Sequence, residues 1–348
     1  VLDGLEDLDK IPIYDVSDVN ESLEREPPCG DYHRVDLHEP GDAPLRMFTS
    51  GGTSGTPRPQ LYTAKDREVQ AIQQARFYWL AGLRPGDVAQ LCWKFSTHNG
   101  GWIIDRALHH YLGVTPITTG TGNDTSTEQQ LYYMSEYDVD AVEAFPNYLM
   151  RLAEVAREEG YDLEEDFDLR CLPTHGQQSE RDRVEETWGA PAYNGYGTHE
   201  VGLVSASCEH GTGMHIFEDL FVVQIVDPET GEEVEPGEVG EVVVTELYKT
   251  GAPQVRFNLK DLSRRLVGEC PCGSSLHRLE DFLGRSDDMV KVRGINVWPE
   301  AIGDVVSEHR GTNGEYFCYV ERDETGTDAE MHVLVEQRDV DPGDLQAD

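Results

Sequence analysis

An α/β fold is predicted: a layered α/β large domain carrying a β-rich subdomain, followed by a small α+β domain at the C-terminal end. Three observations carry this. From residue 63 to residue 193, short apolar runs alternate with helix-length stretches across compact links, the pattern of a layered α/β sheet. From about residue 214 the rhythm changes to apolar runs separated by turn residues such as Asp227-Pro228-Glu229-Thr230-Gly231 and Pro236-Gly237. From Gly284 a charged, glycine-bounded turn leads into one helix candidate and two strands. The expected domains are therefore 1–213, 214–283 and 284–348.

Taken in order, Leu2 to Ile11 has apolar spacing suited to a helix, and Pro12, Pro27, Pro28, Gly30 and Pro40 break the chain into short elements as far as residue 44. Leu45 to Phe48 is a short, mostly apolar run. Thr63 is placed to cap a helix over Ala64–Leu80 that ends at Gly82, because a threonine oxygen can accept from the free amides of a first turn. Val88–Trp93 reads as a buried strand, Gly100–Leu112 as a helix stopped by Gly113, and Val114–Ile117 as a strand. Helices are expected over Thr127–Tyr137, Tyr148–Glu159 and Ser179–Trp188. Strands are expected over Ala141–Phe145, Leu169–Leu172 and Pro191–Tyr193. The β-rich region contributes Met214–Ile216, Phe221–Val226 and Glu241–Leu247. The last region contributes the helix candidate Pro299–Val306 and strands Glu315–Glu321 and Glu330–Glu336.

Charge narrows the function classes. With 67 acidic and 28 basic residues among 348, the formal net charge is −39, and only six of the basic residues are lysines. The 38% apolar content, 34 glycines and five tryptophans speak for a folded protein with an acidic surface. Such a surface repels itself in dilute buffer and is screened at high ionic strength, so a salt-rich, halophilic-type cytoplasm is the expected setting. Nucleic acid is not an expected partner, since backbone phosphates call for clustered lysine and arginine. No apolar run approaches the length of a membrane span and no signal peptide is recognisable, so a cytoplasmic location without membrane attachment is expected.

The stretch Thr49-Ser50-Gly51-Gly52-Thr53-Ser54-Gly55-Thr56-Pro57 combines glycines, which let successive amides converge, with hydroxyl donors. It admits two readings, a phosphate-binding loop or a polar surface turn. It lacks the Lys-Ser/Thr pair that would complete a P-loop. Three further motifs decide between them: Asn194-Gly195-Tyr196-Gly197-Thr198-His199-Glu200, Val255-Arg256-Phe257-Asn258-Leu259-Lys260-Asp261-Leu262, and Gly284-Arg285-Ser286-Asp287-Asp288-Met289 continuing through Lys291 to Pro299. In content and order these resemble the adenylate-forming acyl-CoA ligases, most closely the phenylacetate-CoA ligase branch. The resemblance implies an acyl-CoA synthetase-like fold, with 1–213 as the adenylate-forming core, 214–283 as its β-rich subdomain and 284–348 as part of a C-terminal lid.

The same resemblance implies roles. Ser50, Gly51, Gly52, Thr53, Ser54, Gly55 and Thr56 would grip the β- and γ-phosphates of ATP. Gly176, Gln177 and Gln178 would flank the adenine, Tyr196 would lie against its ring, and Gly197 and Thr198 would line the acyl pocket. Glu200 would hold Mg2+, a hard ion that takes carboxylate oxygen. Asp261 would accept both ribose hydroxyls, Arg285 would reach the nucleotide, and Asp287 would be the hinge of the small domain. His199 stands where serine is commonest in the family. The implied reaction is attack of a carboxylate on the α-phosphorus of ATP, then transfer of the acyl group to coenzyme A, catalysed mainly by positioning and electrostatics. Trp93, Phe95, Trp102, Phe145, Tyr148 and Tyr196 supply aromatic surface suited to an aryl acid such as phenylacetate. A homodimer is left open, as are a truncated or degenerate homologue that binds nucleotide without full turnover and an adenylating enzyme for another acid or cofactor.

Seven cysteines, two of them in Cys270-Pro271-Cys272, look more like metal ligands or free thiols than a disulfide framework. Cys208, Cys270 and Cys272 with His215 would make a closed tetrahedral structural zinc site, His210 or His277 being the alternatives for the imidazole. Cys29, Cys92, Cys171 and Cys318 are expected to be packing residues. The resemblance also implies a lysine near the far end of the C-terminal domain that contacts carboxylate and α-phosphate. No lysine follows Lys291, and the chain reads as shortened at both ends against full-length relatives. The expectation is that adenylation is crippled while nucleotide binding persists.

Overall fold

The structure, a computed structural model, describes residues 4–33, 45–50, 57–288, 290–292, 295–297, 302–303, 305–306, 311–322 and 329–337. A 3-10 helix, Leu5–Lys10, replaces the expected opening α-helix. It is followed by helix α1 (Val16–Arg25), whose N-terminus is closed by a reciprocal cap between Asp15 and Asp18. Strands β1 (Leu45–Thr49) and β2 (Pro59–Thr63) form an antiparallel hairpin. Helix α2 (Ala64–Leu80) starts at the expected cap: Thr63 accepts from the Asp66 amide while the Asp66 carboxylate accepts from the Thr63 amide. Asp66 is buried, and it also receives the amides of Thr250 and Gly251, tying the start of α2 to a segment far along the chain.

Next come β3 (Val88–Leu91), α3 (Gly100–Arg106), β4 (Thr115–Ile117), α4 (Thr127–Glu136), β5 (Ala141–Glu143), α5 (Pro146–Glu158), β6 (Leu172–Thr174) and α6 (Gln178–Trp188). The helix expected to run to Leu112 does so, but its last turns, Ala107–Leu112, are π-helical before Gly113 closes it in the left-handed conformation. β3 pairs in parallel with β4 and β5, and an isolated bridge from Ala141 to Cys171 leads on to β6. β6 is parallel to β7 (Ala192–Thr198). From β7 the sheet turns antiparallel through β8 (Gly202–Ser207) and β9 (Met214–Ile216). After β10 (Phe221–Val226), β11 (Gly240–Glu246) and β12 (Phe257–Ser263), the short strands β13 (Arg265–Leu266) and β14 (Arg278–Leu279) close it, giving the order β13-β14-β9-β8-β7-β6. This sheet joins strands from both sides of residue 213. β10, β11 and β12 make a separate antiparallel sheet.

Two apolar cores hold these layers. One gathers Phe77, Leu91, Ile104, Leu108, Val204, Val242 and Val244 between α2, α3 and the sheets; the other gathers Leu131, Leu149, Leu152, Val184 and Trp188 among α4, α5 and α6. Trp188 donates its indole N–H to the Leu149 carbonyl at 3.0 Å, so its burial leaves no orphan donor. Beyond residue 284, β15 (Val290–Val292) pairs with β16 (Ile295–Val297) and β17 (Thr312–Arg322) pairs with β18 (Ala329–Gln337), the two long strands expected there. The helix candidate Pro299–Val306 falls largely outside the described residues. The architecture is a large α/β, multi-sheet region with a smaller α+β region, as the sequence predicts.

Candidate active site

Strands placed side by side in parallel deliver their following residues to one edge, where open α/β sheets form their ligand crevices. Trp93 lies two residues past β3, Phe145 two past β5 and His175 one past β6. They meet there: the Trp93 and Phe145 rings are 4.6 Å apart, and His175 stands edge-on to Trp93 at 5.4 Å. Together with Ile103 from α3 and Leu203 from β8 they wall a cavity of about 580 Å³ that Gly176, Gln177, Tyr196, Gly197 and Thr198 also line. Phe95 and Trp102 pack on each other, and the Tyr148 hydroxyl faces Thr127, so of the six aromatics proposed for the pocket only Trp93, Phe145 and Tyr196 line it.

Strand β7 supplies the wall nearest the reacting groups. The pairing of β7 with β8 slips between Tyr196 and Gly197, and at Gly197 a Cβ atom would sit 2.0 Å from the Gly202 carbonyl oxygen. Only glycine permits that approach. The Thr198 hydroxyl and His199 Nε2 are buried without a partner in this wall. Burial, with His98 nearby, pushes His199 down to about 4 despite the pull of Glu200, so its imidazole is neutral at physiological pH.

Tyr196 also reaches the nucleotide candidates. Its hydroxyl donates to Asp261 Oδ2 at 2.8 Å, and Arg285 Nη1 donates to Asp261 Oδ1 at 3.0 Å. Burial pushes the Asp261 carboxyl up to about 6, against the pull of Tyr196 and Arg285. Arg285 forks onto both oxygens of Asp287 at 2.8 Å, which joins the expected hinge residue to the same network. Gln177 caps α6 through Glu180, and the Gly176 amide donates to Asn194 Oδ1 at 3.3 Å. Gln178 departs from expectation: its side chain is held by Asp182 and Arg181 and lines a separate, smaller cavity of about 130 Å³.

Glu200 follows β7 in the turn before β8, with its side chain 10% exposed and its Oε1 accepting from Arg58 Nε at 3.2 Å and Nη2 at 2.9 Å. Burial raises its carboxyl, but the hydrogen bonds and charge of Arg58 prevail and hold it below the ordinary range. An ionised, largely shielded carboxylate suits a divalent cation. Ser50 lies at the neck of the glycine-rich loop, its amide donating to the Arg58 carbonyl and its hydroxyl accepting from the Arg58 amide. Gly51, Gly52, Thr53, Ser54, Gly55 and Thr56 lie outside the described residues. Sequence reasoning missed Arg58 and Lys249, whose ammonium donates to the Glu200 carbonyl at 2.8 Å. The one signal for Lys249 was its rarity in a lysine-poor, acidic chain.

The sulfur cluster forms as expected. One ligand atom each from Cys208, His215, Cys270 and Cys272 lie within 4.8 Å of one another. Cys208 and Cys270 sulfurs are 3.7 Å apart, and Cys272 Sγ lies 3.4 Å from His215 Nε2. A tetrahedron with Zn–S bonds of about 2.3 Å and a Zn–N bond of about 2.0 Å separates its ligands by about 3.8 and 3.5 Å, so this donor set fits zinc. His210 and His277 are directed elsewhere, to Glu209 and Glu218. No helix among the described residues is long and apolar enough to cross a membrane.

The chain belongs to the AMP-binding enzyme family, whose sequence profile matches residues 2–247. It thereby falls in the superfamily of adenylate-forming acyl-CoA ligases and is an AMP-forming ligase by class. It is similar to the phenylacetate-coenzyme A ligase of Thermus thermophilus, 31% identical over 340 residues that span 96% of this chain and 73% of the relative. The phenylacetate-coenzyme A ligase of Pseudomonas putida is 31% identical over 336 residues, covering 94% and 72%. Among solved structures, 2-hydroxyisobutyryl-CoA ligase in its postadenylation state with 2-HIB-AMP superposes with a TM-score of 0.83 at 28% identity, over 96% of this chain and 70% of that one.

Proposed function

We propose that this protein activates an aryl carboxylic acid of the phenylacetate type with ATP and passes the acyl group from the adenylate to coenzyme A. The carrying observation is that one cavity joins an aromatic wall, Trp93 and Phe145, to the backbone at Gly197 and through Tyr196 to the Asp261–Arg285 network. The acid would lie between that wall and β7 with its carboxylate toward Thr198 and Glu200. The nucleotide would lie along Gly176, Gln177 and Tyr196, its ribose hydroxyls donating to Asp261. The loop Ser50–Thr56 would hold the departing pyrophosphate. Glu200 would hold Mg2+, whose charge offsets that of the phosphates. Arg285 then lends a cation close to the nucleotide, and its fork onto Asp287 supports the reading of Asp287 as the pivot of the small region. Cys208, His215, Cys270 and Cys272 would bind a structural zinc. The net charge of −39 supports work at high ionic strength.

A second reading has its own observation. The orphan His199 Nε2 offers a hydrogen bond that a plain phenyl ring would leave unmade. It favours an acid bearing a hydroxyl or amino group. Acid-dependent exchange of pyrophosphate into ATP, run with phenylacetate, hydroxy- and amino-substituted aryl acids and short hydroxy acids, separates the readings. Exchange led by aryl acids supports the proposal. Exchange led by short aliphatic acids overturns the aryl assignment, and nucleotide binding with no exchange overturns the ligase reading.

A further inference from the structure

Lys249 is the most deeply buried cation of the described residues, its side chain 0% exposed, and the proposed ligase reaction gives it no task. An ammonium taken out of water is costly unless its donors and its charge are met. Here they are met from three parts of the chain. Nζ donates to the Glu200 carbonyl at 2.8 Å and to Gln60 Oε1 at 3.2 Å, lies 3.4 Å from Glu246 Oε2, and sits 4.7 Å above the ring of Tyr62.

The placement arises from strand periodicity. Successive side chains of a strand point to opposite faces, so Arg58, just before β2, and Gln60 and Tyr62 within it share one face. All three act on the same turn. Arg58 takes the Glu200 carboxylate, Gln60 reaches the Glu200 carbonyl through Lys249, and the Tyr62 hydroxyl reaches the His199 carbonyl at 3.4 Å. β2 is also the strand that leaves the glycine-rich loop. The turn bearing Glu200 is therefore fixed to β2, and Lys249 is the bolt between that strand, the end of β11 at Glu246 and the Glu200 backbone.

We propose that Lys249 is a positioning residue that fixes the Glu200 carboxylate against β2 and Arg58, and so governs how strongly a divalent cation tightens the binding of a nucleoside triphosphate. The proposal rests on the reading of Glu200 as the cation's carboxylate. Removing Lys249 alone would strand Glu246, so the pair is neutralised together in E246Q/K249M, while K249R keeps the charge and displaces the donors.

The test is calorimetric titration of ATP into the full chain over a series of Mg2+ concentrations and in EDTA, with thermal melts as a check of folding. In wild type Mg2+ tightens ATP. In E246Q/K249M the Mg2+-dependent part of the affinity falls about tenfold or more, the affinity in EDTA changes less than about threefold, and K249R lies between. A folded E246Q/K249M with undiminished Mg2+ enhancement overturns the proposal. Should that variant melt too low to titrate, K249R decides: enhancement equal to wild type overturns it. E200Q separates the premise from the inference, since enhancement that survives E200Q shows that the reading of Glu200 has failed.

Discussion

Removing the proposed metal is the sharpest perturbation of the structure as a whole. Cys208 and Cys270 are 62 residues apart in sequence, and their sulfurs, with Cys272 and His215, converge from the end of β8, from β9 and from the turn after β13. Treated as a cross-link, closure of a loop of that length is worth about 4 kcal/mol through the unfolded chain. For a chain of this size that corresponds to a fall in Tm of about 5 °C. The assay is elemental analysis of the purified protein, then thermal melts with and without a strong chelator, beside the variant C270S/C272S. One zinc per chain is expected, with a fall of that size on chelation and none in the variant. A protein free of zinc, whose melt chelator leaves unmoved, would refute the reasoning, because the four donors would then be ordinary buried thiols and imidazole.

Two further outcomes concern the nucleotide and acyl walls. Asp261→Asn is expected to weaken nucleotide binding about 10- to 100-fold, since a charge-assisted pair of hydrogen bonds from ribose would be lost. The folded Asp261 carboxyl, pushed up to about 6, lies above its ordinary 3.8, so its burial disfavours folding increasingly as pH rises through that window, by on the order of 3 kcal/mol. Nucleotide binding needs the carboxylate and should strengthen over the same rise; D261N should flatten both profiles, and a pH-independent wild-type affinity between about 5 and 7 would contradict this. Gly197→Ala places a methyl group 2.0 Å from the Gly202 carbonyl oxygen, so β7 and β8 must part. A loss of about 2–3 kcal/mol by denaturant titration, with weaker acid binding, is expected; a variant as stable as wild type would show that the close approach is not obligatory.

How much of this could be read from residues alone depends on the range of the interaction. Helix α2 was legible to the residue because its cap and its stop are local, Thr63 with Asp66 at one end and Gly82 at the other. Strand β8 was not, since Gly202-Leu203-Val204-Ser205-Ala206-Ser207 is built of small residues suited to close packing against β7 and α2, without the β-branched density that marks a strand. Helix α1 was lost among its flanking prolines, although the Asp15–Asp18 cap was there to be read. In β12, the motif residues Lys260 and Asp261 interrupt the alternation, and Lys260 has φ 62, so polarity masked a strand. The site divides in the same way. Glu200, Asp261 and Arg285 came from motifs, and the sulfur cluster from the Cys-Pro-Cys spacing. The contacts of Arg58 and Lys249 with Glu200, 142 and 49 residues away, emerge only when the chain folds.

Everything proposed for the site turns on a single cavity holding an aryl acyl group and a nucleotide joined as an adenylate. Calorimetric titration with a non-hydrolysable phenylacetyl sulfamoyl adenosine tests this directly and requires no turnover. One equivalent should bind at least about a hundredfold more tightly than AMP, because such an analogue spans both walls at once. That gain should vanish when Trp93 is replaced by alanine. Binding no tighter than that of AMP, or indifferent to Trp93, would contradict the claim.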